Sequence, residues 1–238
     1  MKRTILILKG HSKSVTELTN FSKIIQLYID FFCSNAGGAF DFDNEIFIYE
    51  EPEFETLQNL NFLNENEYLI VLLIGHGANK AGQQIFQMQK ELFIQPGQIK
   101  FDCKKQLHIL ETCRDIIDFE LDIKRLNQLI PKYKYGGTVE RPLTREESLL
   151  KFNQSIQTSN EGTLYLFASS IGESASGLLF LQLIVEISIY IHEYYRDEIV
   201  GANYIFEQTR KKVVEITKGN QNPTKIGEVD FPFVITII

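Results

Sequence analysis

The sequence predicts an α/β sandwich in three layers, with helices on either side of a mainly parallel central sheet. Short apolar runs alternate with longer segments whose apolar residues recur at helical spacing. The runs are continuously apolar rather than alternating, which is the pattern of strands buried on both faces. Residues able to do chemistry gather directly behind two of these runs, at the carboxyl ends where open α/β sheets place ligand or reaction sites.

Residues 4–8 form the first unbroken apolar run, closed by Lys9 and Gly10. Leu18, Phe21, Ile24, Ile25, Tyr28 and Phe31 then recur at helical spacing over 14–32, with Ser12 and Ser14 as capping residues and Ala36, Gly37 and Gly38 as the stop. Residues 45–49 read as a strand and 54–62 as a short helix. Residues 68–74 are the strongest strand and run into Gly75, His76 and Gly77. Residues 84–94 read as a strand pair turning near Lys90 and Glu91. The strand at 107–110 delivers Glu111, Thr112, Cys113, Arg114 and Asp115, and 116–129 is helical. Residues 131–160 are polar, with Gly136, Gly137 and Pro142, and read as an exposed loop. A strand at 164–168 ends at Ser169 and Ser170, helices follow over 177–196 and 199–218, and a last strand over 231–238 comes after Asn222 and Pro223.

Composition agrees with a globular chain. Of 238 residues, 44% are hydrophobic and 23% charged, which excludes a disordered, collagen-like or coiled-coil protein. The pattern reads as one domain over 1–238. Lys and Arg number 24 against 31 Asp and Glu, a formal net charge of −7. That surface repels a phosphate backbone and favours a cationic partner, so nucleic acid is not expected. The three cysteines, Cys33, Cys103 and Cys113, are odd in number and widely spaced, unlike a disulfide framework. Residues 1–9 lack the pattern of a signal peptide. The most apolar stretch, 177–191, is shorter than a bilayer span and carries Gln182 and Glu186. The expectation is a soluble, cytoplasmic protein without membrane attachment.

His76 and Cys113 carry the chemistry. If their strands are neighbours, one rim of the sheet holds an imidazole and a thiol, the minimum set for thiolate attack on a carbonyl. The backbone amides of Gly77 and Cys113 are then available as oxyanion donors. Each motif also has a plainer reading: the glycine-flanked histidine as a turn, the cysteine as a small buried hydrophobe. His11 reads as a polar rim residue, His108 as a packed core residue and His192 as a helix-surface residue. Cys103, His108 and Cys113 do not have the spacing of a zinc site, and no phosphate-binding glycine loop is present, so neither metal nor cofactor is expected.

An apolar strand ending in His76-Gly77, followed by one ending in Glu111-Thr112-Cys113-Arg114, resembles the caspase-like cysteine peptidases, a group that includes caspases, metacaspases and clostripain relatives. Residues 164–175 resemble the start of that group's small subunit, and 222–233 its closing strand. Cys113 follows His76 by 37 residues, against roughly 50 in caspases. The resemblance implies a caspase-like sandwich, with 1–130 as the large-subunit part, 131–160 as the linker and 161–238 as the small-subunit part. It implies His76 and Cys113 as a catalytic dyad, with Gly77 and the Cys113 amide as oxyanion hole. Glu111 stands where caspases have Gln and metacaspases Asp, which implies an S1 pocket for Arg or Lys, with Ser170 and Glu173 as further lining residues.

The implied activity is an endopeptidase working through an acyl-enzyme on protein or peptide substrates. A minimal chain of this kind is similar to prokaryotic members, many of which are cell-death or antiviral effectors. Control would fall to a small-molecule or protein activator, or to self-cleavage in the linker at Lys132, Lys134, Arg141, Arg145 or Lys151. Two other readings stay open: a catalytically silent caspase-like module that binds a nucleotide-like ligand or partner protein, and an unrelated doubly wound nucleotide-binding protein.

Overall fold

The computed structural model describes residues 1–80, 83–99, 101–113, 143–170, 173, 175, 178–194 and 199–236, with side chains throughout except at 78–80, 83, 112 and 113. In chain order the strands are β1 (Arg3–Lys9), β2 (Ile46–Glu50), β3 (Tyr68–Lys80), β4 (Gln83–Gln87), β5 (Phe93–Ile94), β6 (Lys105–Cys113), β7 (Gly162–Phe167), β8 (Ile199–Gly201), β9 (Thr224–Ile226) and β10 (Pro232–Ile235). The α-helices among the described residues are α1 (Val15–Cys33), α2 (Phe42–Glu45), α3 (Phe54–Gln58), α4 (Arg145–Thr158), α5 (Leu179–Tyr194) and α6 (Ala202–Ile216). The main sheet runs β2-β1-β3-β6-β7-β9. Its first five strands are parallel and β9 is antiparallel, while β4 and β5 extend β3 as an antiparallel ribbon.

The predicted α/β sandwich is therefore present, and it rests on the unbroken apolar strands. Every residue of β3 from Tyr68 to Ile74 has 0% exposure, worth about 1.5–3 kcal/mol for each large aliphatic side chain removed from water. Ile70, Leu72 and Ile74 join Ile5, Ile7, Leu107 and Ile109 beneath α1 and α5. Leu69, Val71 and Leu73 face the other way, with Leu6, Leu8 and Leu110, against Leu57 of α3, Leu60, Leu63 and the β4–β5 ribbon. Among the described residues, no helix is long and apolar enough to cross a membrane.

Several expectations change. Residues 145–158 are helix α4, not loop. Thr144 and Glu147 form a reciprocal capping box, and Ser148, Phe152 and Ile156 turn inward. The stripe is narrow and the rest of the helix polar, so its periodicity is weak. Arg145, one of the expected linker cleavage points, donates to the carbonyls of Cys33, Ala39 and Phe40. Lys151 also lies within α4, while Lys132, Lys134, Arg141 and the helix expected at 116–129 fall outside the described residues. Residues 199–201 are strand β8 rather than the start of a helix, and they pair with β10 in a separate two-stranded sheet. The edge of the main sheet is closed by β9, three residues long and partly exposed.

Candidate active site

The strand order reverses between β1 and β3, with β2 on one side of β1 and the rest of the path on the other. Beyond the carboxyl ends at such a reversal lies a crevice, the usual site position in open α/β sheets. Both singled-out strands reach this rim. The parallel ladder of β3 and β6 pairs residue with residue from Leu69 and Gln106 up to its last pair, His76 and Cys113. The glycine-flanked histidine is thus not a turn: β3 continues straight through it. Strand alternation places His76 on the face of Ile74, toward α1 and α5.

His76 is buried, at 5% exposure. Its ring meets Phe21 of α1 edge to face, with centroids 6.2 Å apart. Its Nε2 lies 3.0 Å from Oε2 of Glu17. The contact is at ion-pair distance but lacks the alignment of a directed hydrogen bond, and both His76 Nε2 and Glu17 Oε1 are buried without a hydrogen-bond partner among the described residues. Glu17 is itself 5% exposed and sits in the first turn of α1. Its Oε2 accepts the Lys13 N–H at 2.5 Å, and its own N–H donates to Ser14 Oγ at 3.2 Å. Sequence reading missed Glu17. The Ser14-to-Glu17 spacing is that of a capping box, a signal sufficient to put Glu17 in the turn behind β1, but nothing local ties it to a histidine far along the chain.

The flanking glycines do different things. Gly77 continues β3 and pairs with Phe86 of β4. At Gly75 a Cβ would stand 3.0 Å from the Phe86 ring and 3.2 Å from the Cα of Gly10, so its bare backbone is used by packing on the opposite face from His76.

Glu111 is fully buried, and its Oε2 accepts the Leu181 N–H at 3.1 Å in the first turn of α5. A carboxylate there meets the positive end of the helix dipole. The Tyr28 hydroxyl donates to the carbonyl of the same Leu181 at 3.1 Å. Burial first, and the Glu111 charge second, hold Tyr28 protonated well above the usual phenol range. Ser170 and Glu173 form a clasp. Ser170 Oγ donates to the Asn222 carbonyl at 2.9 Å, while Glu173 accepts the Asn222 N–H and side-chain amide, each at 2.8 Å. They buckle the loop behind β7 onto the segment leading to β9.

The remaining histidines lie elsewhere. His11, behind β1, sets Nδ1 2.9 Å from Glu51 Oε2. His108 is a packed core residue, its ring tilted against Tyr165 with centroids 4.6 Å apart. His192 is not free on a helix surface: its Nδ1–H donates to the Ile235 carbonyl and ties α5 to β10.

No family model matches the sequence, and no curated protein matches it. Among solved structures, the fold is similar to the crystal structure of the Drosophila initiator caspase Dronc. The TM-score is 0.55 and the identity 11%, over 99% of this chain and 82% of that one. Identity this low speaks for the fold alone. The chain has a caspase-like α/β fold, with His76 and Cys113 side by side at the carboxyl rim of its central sheet.

Proposed function

We propose that the protein is a cysteine endopeptidase in which Cys113 is the nucleophile and His76 its acid–base partner, and that it cleaves after Arg or Lys. The observation that carries this reading is the last pair of the β3–β6 ladder, an imidazole and a thiol residue in register at the rim of a caspase-like sheet. The Cys113 thiolate adds to the scissile carbonyl carbon. The imidazolium of His76 gives its proton to the departing amine, leaving an acyl-enzyme. Water then attacks the thioester while His76 takes a proton from it, releasing the acid and restoring the thiolate–imidazolium pair. Gly77 and the Cys113 amide are the proposed oxyanion donors.

The basic preference is supported by Glu111, a buried carboxylate on the same strand two residues before Cys113. A desolvated carboxylate favours a cation and rejects an anion. The net charge of −7 favours basic substrates in the same sense.

The test is incubation of the full chain with fluorogenic peptides carrying Arg, Lys or Asp at P1, with cut sites read by mass spectrometry. Cleavage after Arg and Lys is expected, and Cys113→Ala should lower it by roughly a thousandfold or more. Glu111→Gln keeps an oxygen that can accept from Leu181, so the fold should hold while turnover of the Arg substrate falls roughly a hundredfold, the loss of one charge-assisted contact. Full turnover in Cys113→Ala would end the dyad assignment, and an unchanged Arg preference in Glu111→Gln would end the S1 assignment.

A further inference from the structure

The least explained feature of the rim is a pair of buried polar groups, His76 Nε2 and the Glu17 carboxylate. They stand 3.0 Å apart without a directed hydrogen bond between them. Among the described residues, His76 Nε2 and Glu17 Oε1 are both buried without a hydrogen-bond partner, and buried atoms left so are uncommon and call for an explanation. The carboxylate is not loosely placed. The Lys13 N–H holds its Oε2, the Ser14 hydroxyl holds its backbone, and the rest of α1 is anchored in the core. Phe21, one turn further along α1, closes on the imidazole ring. One element therefore supplies both the charge and the apolar wall that face His76.

We propose that Glu17 is the positioning residue of the site, engaging Nε2 of His76 so that Nδ1 is left to exchange a proton with Cys113. This rests on the dyad reading and extends it to a Glu–His–Cys relay. The attraction is strongest when the imidazole is charged, because only then does the carboxylate face a full positive charge. The carboxylate thereby favours the thiolate–imidazolium pair over the neutral pair. Glu17 touches no reacting atom and acts only through His76.

Alkylation of the full chain by iodoacetamide, followed cysteine by cysteine with mass spectrometry, tests this without substrate. Only the thiolate reacts, so the rate at Cys113 reports the ion pair. Glu17→Gln should slow Cys113 by roughly tenfold, and it retains an oxygen to accept from Lys13. Cys33 and Cys103 serve as controls. Burial pushes both thiols up from their usual range, and their slow rates should stay unchanged. In a His76→Ala background, where Cys113 is already slow, Glu17→Gln should add nothing; a further, additive loss there would overturn the relay. An unaltered Cys113 rate in Glu17→Gln, with His76→Ala slow, would overturn the role of Glu17 and leave the dyad standing. Indifference to both substitutions would remove the His76–Cys113 pair and this proposal with it.

Should Glu17→Gln loosen the fold, Cys33 and Cys103 would speed up, and the unmodified chain then decides. The imidazole nitrogen-15 spectrum should show His76, identified by its loss in His76→Gln, protonated at Nε2, with Nδ1 either bare or carrying the proton of the Cys113 thiol. The opposite tautomer would overturn the proposal.

Discussion

Arg3 is an unusual residue for the first position of a buried strand, and its surroundings explain how the fold tolerates it. It is 2% exposed. Its Nε and one terminal nitrogen hold both oxygens of Glu45 at 2.9 and 3.1 Å, and its terminal nitrogens reach the carbonyls of Gly38 and Ala39. The guanidinium lies 3.8 Å over the Phe40 ring. A planar fork serves three acceptor groups and a ring face at once, which a compact ammonium cannot do. Arg3→Ala takes the buried cation from Glu45 and its donors from the Gly38 and Ala39 carbonyls, of which only Ala39 keeps a second one, from Arg145, at a cost of about 3–5 kcal/mol. Arg3→Lys should recover less than half of that loss. Urea unfolding of the three proteins checks it; a lysine variant as stable as the parent would show that charge alone matters here.

Helix α4 shows how a second element depends on the same corner. Arg145 at its start takes the carbonyls of Cys33, Ala39 and Phe40, and Phe152 stacks edge to face on Phe40 with centroids 5.8 Å apart. The Phe152 ring is fully buried and fills the space above Gly38, where a Cβ would meet it at 2.7 Å. Phe152→Ala should therefore cost about 3–5 kcal/mol and release the helix. In limited trypsin digestion, Lys151 should be protected in the parent and cut early in the variant; protection in both would mean that α4 does not depend on this ring. That helix also marks the boundary of what was legible beforehand. Elements that bury a whole face could be read from the chain: β1, β3, β6 and β7 as apolar runs, α1 from periodicity, α5 as the most apolar stretch, and the β4–β5 ribbon from its turn. Elements held by a few contacts could not. α4 turns in only Ser148, Phe152 and Ile156, and β8 and β9 are three residues each. The same division holds at the rim. His76 and Cys113 were visible because each ends an apolar run, whereas Glu17 meets His76 only through the packing of α1 on the sheet, which no local pattern records.

For the molecule as a whole, the central strand carries an acid-sensitive group. His108 lies in the middle of β6, paired on one side with Val71 and on the other with Tyr165, and has no exposed surface. Its Nε2 is 3.1 Å from Gln106 Oε1, and its Nδ1 has no hydrogen-bond partner among the described residues. Burial lowers its pKa from 6.5 to about 3. Between those values the unfolded chain takes up a proton at this position and the folded chain does not. Stability from this source is therefore complete above about pH 6.5 and is lost as pH falls toward 3, with a slope of at most ~1.4 kcal/mol per pH unit. From pH 7 to pH 5 the loss is about 2 kcal/mol. Because β6 is the inner strand between β3 and β7, protonating His108 requires the sheet itself to open, so the effect belongs to global unfolding rather than to a local rearrangement. His108→Phe retains an aromatic ring against Tyr165 and removes the titration. Urea midpoints at pH 7 and pH 5 should converge in that variant by the ~2 kcal/mol attributed to His108, with the carboxylate background common to both proteins. Equal pH slopes in parent and variant would show that the imidazole is protonated in the folded sheet, and that β6 is less tightly enclosed than its burial indicates.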